Sequence, residues 1–179
     1  MEKEEIDNLL YSRNTEHKNN YADRYIDHYL EQYRIYIHIF NSTNDRQVKV
    51  NEFFLGVNTA IIGILGYLEG KGVVDKPVIF IMVPLVGIAI CACWYRIVRS
   101  YKELNRTKFQ VIDSVEEKLP LSLFSTEREI LKKKKEDTNY KSFSSIELYI
   151  PVIFSALYSI IFVSNVPWVP MLKSLHLML

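Results

Sequence analysis

The chain has 179 residues, is 49% hydrophobic and carries a formal net charge of +1, values that would suit a single soluble domain. The distribution of charge excludes that interpretation, because residues 53–68, 77–95 and 148–172 contain no charged side chain. All but three of the 22 Lys and Arg lie in residues 1–52 and 96–147. The sequence therefore predicts an all-α polytopic membrane protein with about three transmembrane helices.

Residues 1–47 are predicted to form a cytoplasmic N-terminal helical region, because they are polar and no signal peptide precedes the first apolar run. From Tyr21 onward, apolar residues recur at three- and four-residue steps, which is typical of an amphipathic helix. Four tyrosines lie at four-residue steps along it, namely Tyr21, Tyr25, Tyr29 and Tyr33. We expect this stripe to pack against a partner helix, and a docking surface for another protein is the alternative.

Residues 48–98 are predicted to form a transmembrane hairpin, whose first span is long enough to cross ~30 Å of hydrocarbon. No Pro or Gly interrupts residues 21–55, so the amphipathic helix is expected to run into this span with at most a local break at residues 41–44. Glu52 lies at its cytoplasmic rim and Asn58 in its interior. Gly63, with other small residues nearby, permits close approach of a second helix and thus self-association.

The second span of the hairpin contains Pro84, which is expected to kink the helix because proline lacks a backbone N–H. Trp94 ends the apolar run, and Arg96 and Arg99 follow it. An apolar body, then an aromatic residue, then cations is the order found where a helix leaves the bilayer on its cytoplasmic side.

Residues 99–147 are predicted to form a cytoplasmic helical region that packs with the N-terminal helix as a stalk. This prediction rests on an approximate line of apolar residues along the helix: Ile97, Tyr101, Leu104, Val111, Val115 and Leu119. Pro120 is expected to end the helix. Thr126 and Glu129 are spaced as a capping box for a further short helix. Its basic run is a candidate lipid or partner contact, consisting of Lys132, Lys133, Lys134 and Lys135.

Residues 148–179 are predicted to form a third transmembrane helix and an interfacial tail, which places the C-terminus outside if the N-terminus is inside. Ser144 and Glu147 are spaced as a capping box before this helix. Trp168 is expected at the headgroup level of the far interface. A re-entrant tail is the alternative.

The residues favour a binding or assembly function over an enzyme. The two cysteines, Cys91 and Cys93, point to different sides of a helix, and the sequence has no CxxC motif, His-Cys cluster or nucleophile elbow. No catalytic residue, cofactor or metal is therefore predicted. The candidate pore or helix-contact residues are Glu52, Asn58, Gly63 and Pro84, and the other candidate lipid or partner contacts are Trp94, Arg96 and Arg99.

The juncture from Trp94-Tyr95-Arg96 to Lys108-Phe109, with Phe53-Phe54-Leu55 and Asn58-Thr59-Ala60 upstream, resembles a family of small bacterial integral membrane proteins. The likeness covers residues 30–160. Such proteins are similar to the membrane components of prokaryotic antiviral defence systems. The resemblance implies a membrane partner of a cytosolic sensor or nuclease, and it supplies no catalytic residue.

Together these patterns predict a multi-pass protein of the bacterial inner membrane that self-associates and acts as a membrane-perturbing or pore-forming effector in antiviral defence. The partners expected are the lipid bilayer, further copies of the chain and a possible cytosolic protein, with nucleic acid less favoured. The alternative is a non-conducting anchor or regulator that recruits a cytosolic partner through its helical stalk.

Overall fold

The computed structural model describes residues 3–11, 24–72, 77–137 and 147–166. Over these ranges the chain is helical and contains no strand, which confirms the predicted all-α class. Five helices follow one another in the described part: α1 (Lys3–Tyr11), α2 (Tyr25–Gly70), α3 (Pro77–Glu116), α4 (Leu123–Asp137) and α5 (Tyr149–Asn165).

Helices α2 and α3 are long, at 46 and 40 residues, and each contains both an apolar and a charged stretch. Helix α2 runs through residues 41–44 without a break, in agreement with the lack of Pro and Gly in this stretch. The Thr43 hydroxyl donates to the Ile39 carbonyl oxygen at 2.9 Å, a bond within the same helix that leaves its backbone path intact. A turn follows α2, and Gly72 takes a positive φ of 60° there, a conformation that glycine adopts without a steric penalty.

The described residues group into two compact units, which each contain part of α2 and part of α3. We call the unit made from residues 1–48 and 100–143 the polar unit, and the unit made from residues 49–99 and 144–179 the apolar unit.

The apolar unit has a small core and an extensive apolar exterior. Its buried hydrophobic residues are Leu65, Phe80, Cys91, Trp94, Val98 and Tyr158. The apolar windows of α2 and α3 are long enough to cross a membrane, yet only 11% and 28% of them is buried. Core helices of a soluble protein would be mostly buried, so these windows are suited to a lipid environment. Helix α5, with 17 residues, is a third, shorter apolar helix.

The polar unit is organised around an aromatic contact between its helices. The Phe40 ring, on α2, lies 4.9 Å from the Phe109 ring of α3 and 6.5 Å from the Phe124 ring of α4, measured between centroids. Ile6 of α1 and Ile112 of α3 are also buried. Helices α2, α3 and α4 therefore share one aromatic core in this unit, and α1 contributes the buried Ile6.

The face of α3 that is buried in the polar unit differs from the predicted apolar line. Leu104, a member of that line, is 45% exposed, whereas Ile112 and Glu116 are buried, with exposed fractions of 0% and 1%. Asn105 and Lys108 also face α2, through side-chain hydrogen bonds to Asn44, Gln47 and Thr43. A count of apolar residues misses this face because paired polar side chains occupy part of it.

The capping box predicted at Thr126 is wrong. Helix α4 begins at Leu123, so Thr126 lies inside it and its hydroxyl donates to the Ser122 carbonyl oxygen at 2.6 Å. Helix α5 begins at Tyr149 with Leu148 at the N-cap and without a side-chain cap. Ser144 lies outside the described residues, as do Tyr21 and the tail with Trp168.

Candidate membrane assembly site

Asn58 forms the buried polar centre of the apolar unit and is 0% exposed. Its side-chain amide donates to the Phe54 carbonyl oxygen of the same helix at 2.7 Å, and its Oδ1 accepts from the Cys91 thiol of α3 at 3.4 Å. The Tyr158 hydroxyl of α5 donates to the Asn58 carbonyl oxygen at 3.4 Å. Every polar atom of the Asn58 side chain is thus satisfied inside one chain, which is the arrangement that apolar surroundings require.

A close contact between α3 and α5 lies beside this polar centre. The Tyr158 ring covers Gly87 so tightly that a Cβ added at residue 87 would lie 2.5 Å from the ring. Both residues are buried. Glycine is required here because no larger residue fits between the helix backbone and the ring.

Trp94 joins all three helices of the apolar unit. Its indole N–H donates to Asn51 Oδ1 at 3.0 Å, and its ring stacks on the Phe54 ring with centroids 5.7 Å apart. The Phe154 ring of α5 lies 6.2 Å away. The sequence suggested an aromatic residue at the membrane boundary, and the structure shows in addition that the side chain is 1% exposed and packs within the chain.

One face of α2 in the apolar unit is made of small and polar residues. Its members follow one another at steps of four and three residues and are all exposed: Glu52, Gly56, Thr59, Gly63, Gly66 and Gly70. At each of its four glycines, an added Cβ would meet no atom within 4 Å. We call this surface the small-residue face, and nothing in the described part of the single chain covers it.

The structure separates the sequence-predicted site residues into two groups. Glu52 and Gly63 lie on the small-residue face, whereas Asn58 and Pro84 are buried inside the apolar unit. Arg96, Arg99, Lys132 and Lys133 are exposed, and Lys134 and Lys135 continue the basic run within α4. The sequence analysis identified Gly63 and other small residues near it, but it did not recognise the complete face. The regular spacing from Glu52 to Gly70 was the signal that could have found it.

Glu116 is the polar centre of the other unit, and the sequence reasoning missed it. Its carboxylate is 1% exposed and accepts from the backbone N–H groups of Phe124 and Ser125, both at 3.1 Å. It also accepts from the Tyr33 hydroxyl at 3.0 Å. A buried carboxylate at the first turn of α4 satisfies free N–H groups and matches the positive end of the helix dipole.

Tyrosines of α1 and α2 hydrogen-bond the last turn of α3. The Tyr29 hydroxyl donates to the Val115 carbonyl oxygen at 2.6 Å, and the Tyr11 hydroxyl donates to the Ser114 carbonyl oxygen at 3.5 Å. The predicted packing of the tyrosine stripe against a partner helix is confirmed at Tyr29 and Tyr33. The Val115 carbonyl oxygen also accepts from the Lys118 backbone N–H at 3.2 Å, so the Tyr29 hydroxyl adds a second bond at the end of α3.

Burial changes the proton affinity of several groups in the polar unit. It raises the pKa of Tyr29 and of Tyr36, and it raises the pKa of Tyr33 to about 12, with the hydrogen bond to Glu116 acting in the same direction. Burial, with a smaller effect of Arg46, lowers the pKa of Lys108. The neutral forms of these side chains are therefore favoured in the folded unit.

Among the described residues, no group of three or more His, Cys, Asp and Glu is placed to hold a metal ion. A shallow cleft of about 480 Å³ lies on α4 and the turn before it. Its lining is mainly apolar and includes Leu121 and Leu123, which are 67% and 65% exposed.

The comparison with known families decides what kind of protein has this arrangement. Residues 30–167 match the model of the octameric membrane protein family (8xMP). The chain belongs to the octameric membrane protein family. It is therefore a self-associating membrane protein, as the long, poorly buried apolar windows of α2 and α3 also indicate. No curated protein and no solved structure matches the chain.

For this 8xMP protein, the family match gives the small-residue face a physical context. A membrane protein that associates with copies of itself needs a surface where helices approach closely, and small residues provide such a surface in lipid. The face on α2 has this composition and is uncovered in the single chain.

Proposed function

We propose that this 8xMP protein assembles through the small-residue face of α2 into a ring that perturbs or perforates the membrane. The observation that carries the proposal is the open space around its four glycines. A glycine inside a helix costs roughly 0.5–1 kcal/mol relative to alanine. Packing within one chain does not offset this cost here, whereas packing against a neighbouring copy does.

The polar residues of the same face support assembly. Glu52 and Thr59 are exposed on it. A carboxylate that faces hydrocarbon is unfavourable, so such side chains in membrane helices turn toward other helices or toward water. A ring places them in one of these two environments. The face then either packs against the next copy or lines a water-filled axis.

The test is to reconstitute Gly63→Leu and to measure both particle mass and ion flux across vesicles. If the face is a contact between copies, the leucine prevents close approach, and both the ring mass and the flux are lost. A retained ring mass with a reduced flux would contradict assembly through this face and would place the face on the axis of the ring instead. Ala89→Leu is the matched control, because it adds similar bulk at an exposed position of α3. A variant with unchanged mass and flux would contradict the proposal.

A second candidate function is a non-conducting anchor that recruits a cytosolic protein. The exposed Leu121 and Leu123 at the cleft of α4 favour this alternative, because solvent-exposed leucines placed side by side are suited to a protein contact. The unmodified chain would then give a ring without ion flux. Leu123→Asp would abolish partner capture while leaving the particle mass unchanged.

The proposed setting is the bacterial inner membrane, with the N-terminus in the cytoplasm and an effector role in antiviral defence. The resemblance of the juncture between Trp94 and Phe109 to small bacterial membrane proteins supports this part. Challenge of cells with phage, with and without the chain, tests the role, and equal phage yields would contradict it. A protease-accessible tag at the N-terminus, probed in spheroplasts, tests the orientation.

A further inference from the structure

The basic end of α4 lies beside basic residues of α3 in the polar unit. Two contacts establish that the helices run antiparallel: Glu116 caps the start of α4 at Phe124 and Ser125, and Arg128 forms an ion pair with Asp113. The Arg128 guanidinium also lies 5.2 Å from the Phe109 ring centroid. Residue numbers thus rise along α4 as they fall along α3. One further turn of α4 beyond Arg128 therefore places its basic run opposite residues 105–109 of α3.

This register collects exposed cations from two helices on one surface. Lys102 and Arg106 come from α3, and Lys132 and Lys133 come from α4. Arg106 and Lys133 have carboxylate neighbours, Glu103 at 3.9 Å and Glu129 at 3.2 Å. Ion pairs between such exposed side chains are weak, so both cations remain available to a stronger anion. We call these four residues the basic patch.

Exposed apolar side chains adjoin the lysines on α4. Ile130 is 53% exposed and Leu131 is 44% exposed. A helix that combines outward apolar side chains with a run of lysines is typical of segments that lie on a membrane surface.

We propose that the basic patch and the neighbouring Ile130 and Leu131 bind the anionic phospholipid headgroups of the membrane in which the protein is embedded. The family match supports this choice of ligand, because it places the chain in a membrane. Anionic headgroups attract exposed cations within about one Debye length, roughly 8 Å in physiological salt.

The chain holds this ligand permanently nearby, whereas a nucleic acid must be recruited from solution. Each lysine at an anionic surface strengthens attraction roughly fivefold. Docking on the headgroups would hold α4 in place and slow the opening of its last turns. The inference does not depend on whether the assembly conducts ions.

The experiment uses the full chain in nanodiscs and measures backbone hydrogen exchange in residues 130–137. We expect exchange there to be several-fold slower in discs that contain phosphatidylglycerol than in discs of phosphatidylcholine alone. Helix α1 is the internal reference, because its exchange should not change. The double variant Lys132→Gln/Lys133→Gln should remove the difference between the two kinds of disc.

The matched control is Arg24→Gln/Arg34→Gln, which removes the same charge from two exposed positions near the other end of the polar unit. It should retain the slow exchange in anionic discs. Equal exchange of the unmodified chain in both kinds of disc would overturn the proposal. So would equal losses in the two double variants, or slowing by a short RNA in neutral discs without slowing by phosphatidylglycerol.

Discussion

The two units of this protein both use α2 and α3, but they are held together in different ways. In the polar unit, hydrogen bonds between helix ends and side chains supplement the aromatic contact at Phe40, as at Glu116 and at the Tyr29 hydroxyl. In the apolar unit, rings and small residues pack closely, as at Trp94 and Gly87. The polar unit should therefore be sensitive to lost hydrogen-bonding groups, and the apolar unit to added volume.

The units also differ on their outer surfaces. Exposed residues of the apolar unit are chiefly large and apolar, apart from the small-residue face. Exposed residues of the polar unit are mainly charged or polar, although α2 also exposes Ile26, Leu30, Ile35 and Ile39, and α4 exposes apolar side chains as well. Lipid and further copies of the chain can satisfy the first surface, and water can satisfy most of the second. The contacts of assembly are thus expected chiefly in the apolar unit.

The largest effect is expected at the polar centre of the polar unit. Glu116→Ala leaves two backbone N–H groups and the Tyr33 hydroxyl without their acceptor in a buried place. Each buried group that loses its partner costs roughly 1–3 kcal/mol, and relaxation of the structure offsets part of this cost. We therefore expect the free energy of unfolding to decrease by about 3 kcal/mol. Denaturant unfolding of the full chain in detergent, followed by helical circular dichroism, measures the change.

Two further variants make the Glu116 prediction specific. Glu116→Gln keeps one acceptor oxygen and should lose about half as much stability. Glu127→Ala removes an exposed carboxylate of α4 and should change stability by less than about 0.5 kcal/mol. Equal stability of the Glu116 and Glu127 alanine variants would show that the buried cap does not stabilise the fold.

A somewhat smaller effect is expected from added volume in the apolar unit. Gly87→Ala places a methyl group 2.5 Å from the Tyr158 ring, so either the ring or the helix must shift. Overpacking of this kind costs about 1–3 kcal/mol. The melting temperature of the full chain in detergent should fall, and Gly87→Ala should lower it by less in a Tyr158→Ala background, where the ring is absent.

Gly70→Ala is the matched control for the Gly87 prediction, because no atom lies within 4 Å of the added methyl group. We expect it to leave stability unchanged or to raise it slightly, since alanine favours the helix more than glycine does. Equal melting temperatures of the two alanine variants would contradict the close contact between α3 and α5.

The contrast between the two units also explains what the sequence could predict. Long apolar runs and the steps between Tyr25, Tyr29 and Tyr33 follow from local periodicity, so the helices and the packing of the stripe were predictable. The Trp94 position at the end of an apolar run was equally visible. These features depend on neighbours along the chain.

The features that were missed depend on distant partners. Glu116 looks like one more charge in a charged stretch, and its role arises only when α4 folds back to it. The capping box at Thr126 failed for the same reason, because the cap comes from another helix. The position of Glu116, four residues after Ile112 on the buried face of α3, was the one available hint.

The smallest effect is expected from alkaline pH, and it should arise in the polar unit. The pKa of Tyr33 is raised to about 12, and the pKa of Tyr29 and of Tyr36 is raised as well. An unfolded tyrosine has a pKa of about 10, so the folded unit retains these protons where the unfolded chain loses them. Their stabilising contribution is complete below about pH 10 and is lost as the pH rises through 12.

Lys108 acts in the opposite direction, because its lowered pKa favours the folded unit once the pH exceeds the unfolded value of about 10.4. We expect the three tyrosines to outweigh this one lysine, so the free energy of unfolding should decrease above about pH 10. Denaturant unfolding at several pH values, with tyrosinate absorbance recorded in parallel, gives the slope of the unfolding free energy against pH.

Tyr33→Phe removes one ionisable hydroxyl. It should reduce the steepness of this slope by the equivalent of at most one proton for each molecule that unfolds. An unchanged slope would mean that the Tyr33 hydroxyl ionises as readily in the folded unit as in the unfolded chain, and that its bond to Glu116 does not hold the proton.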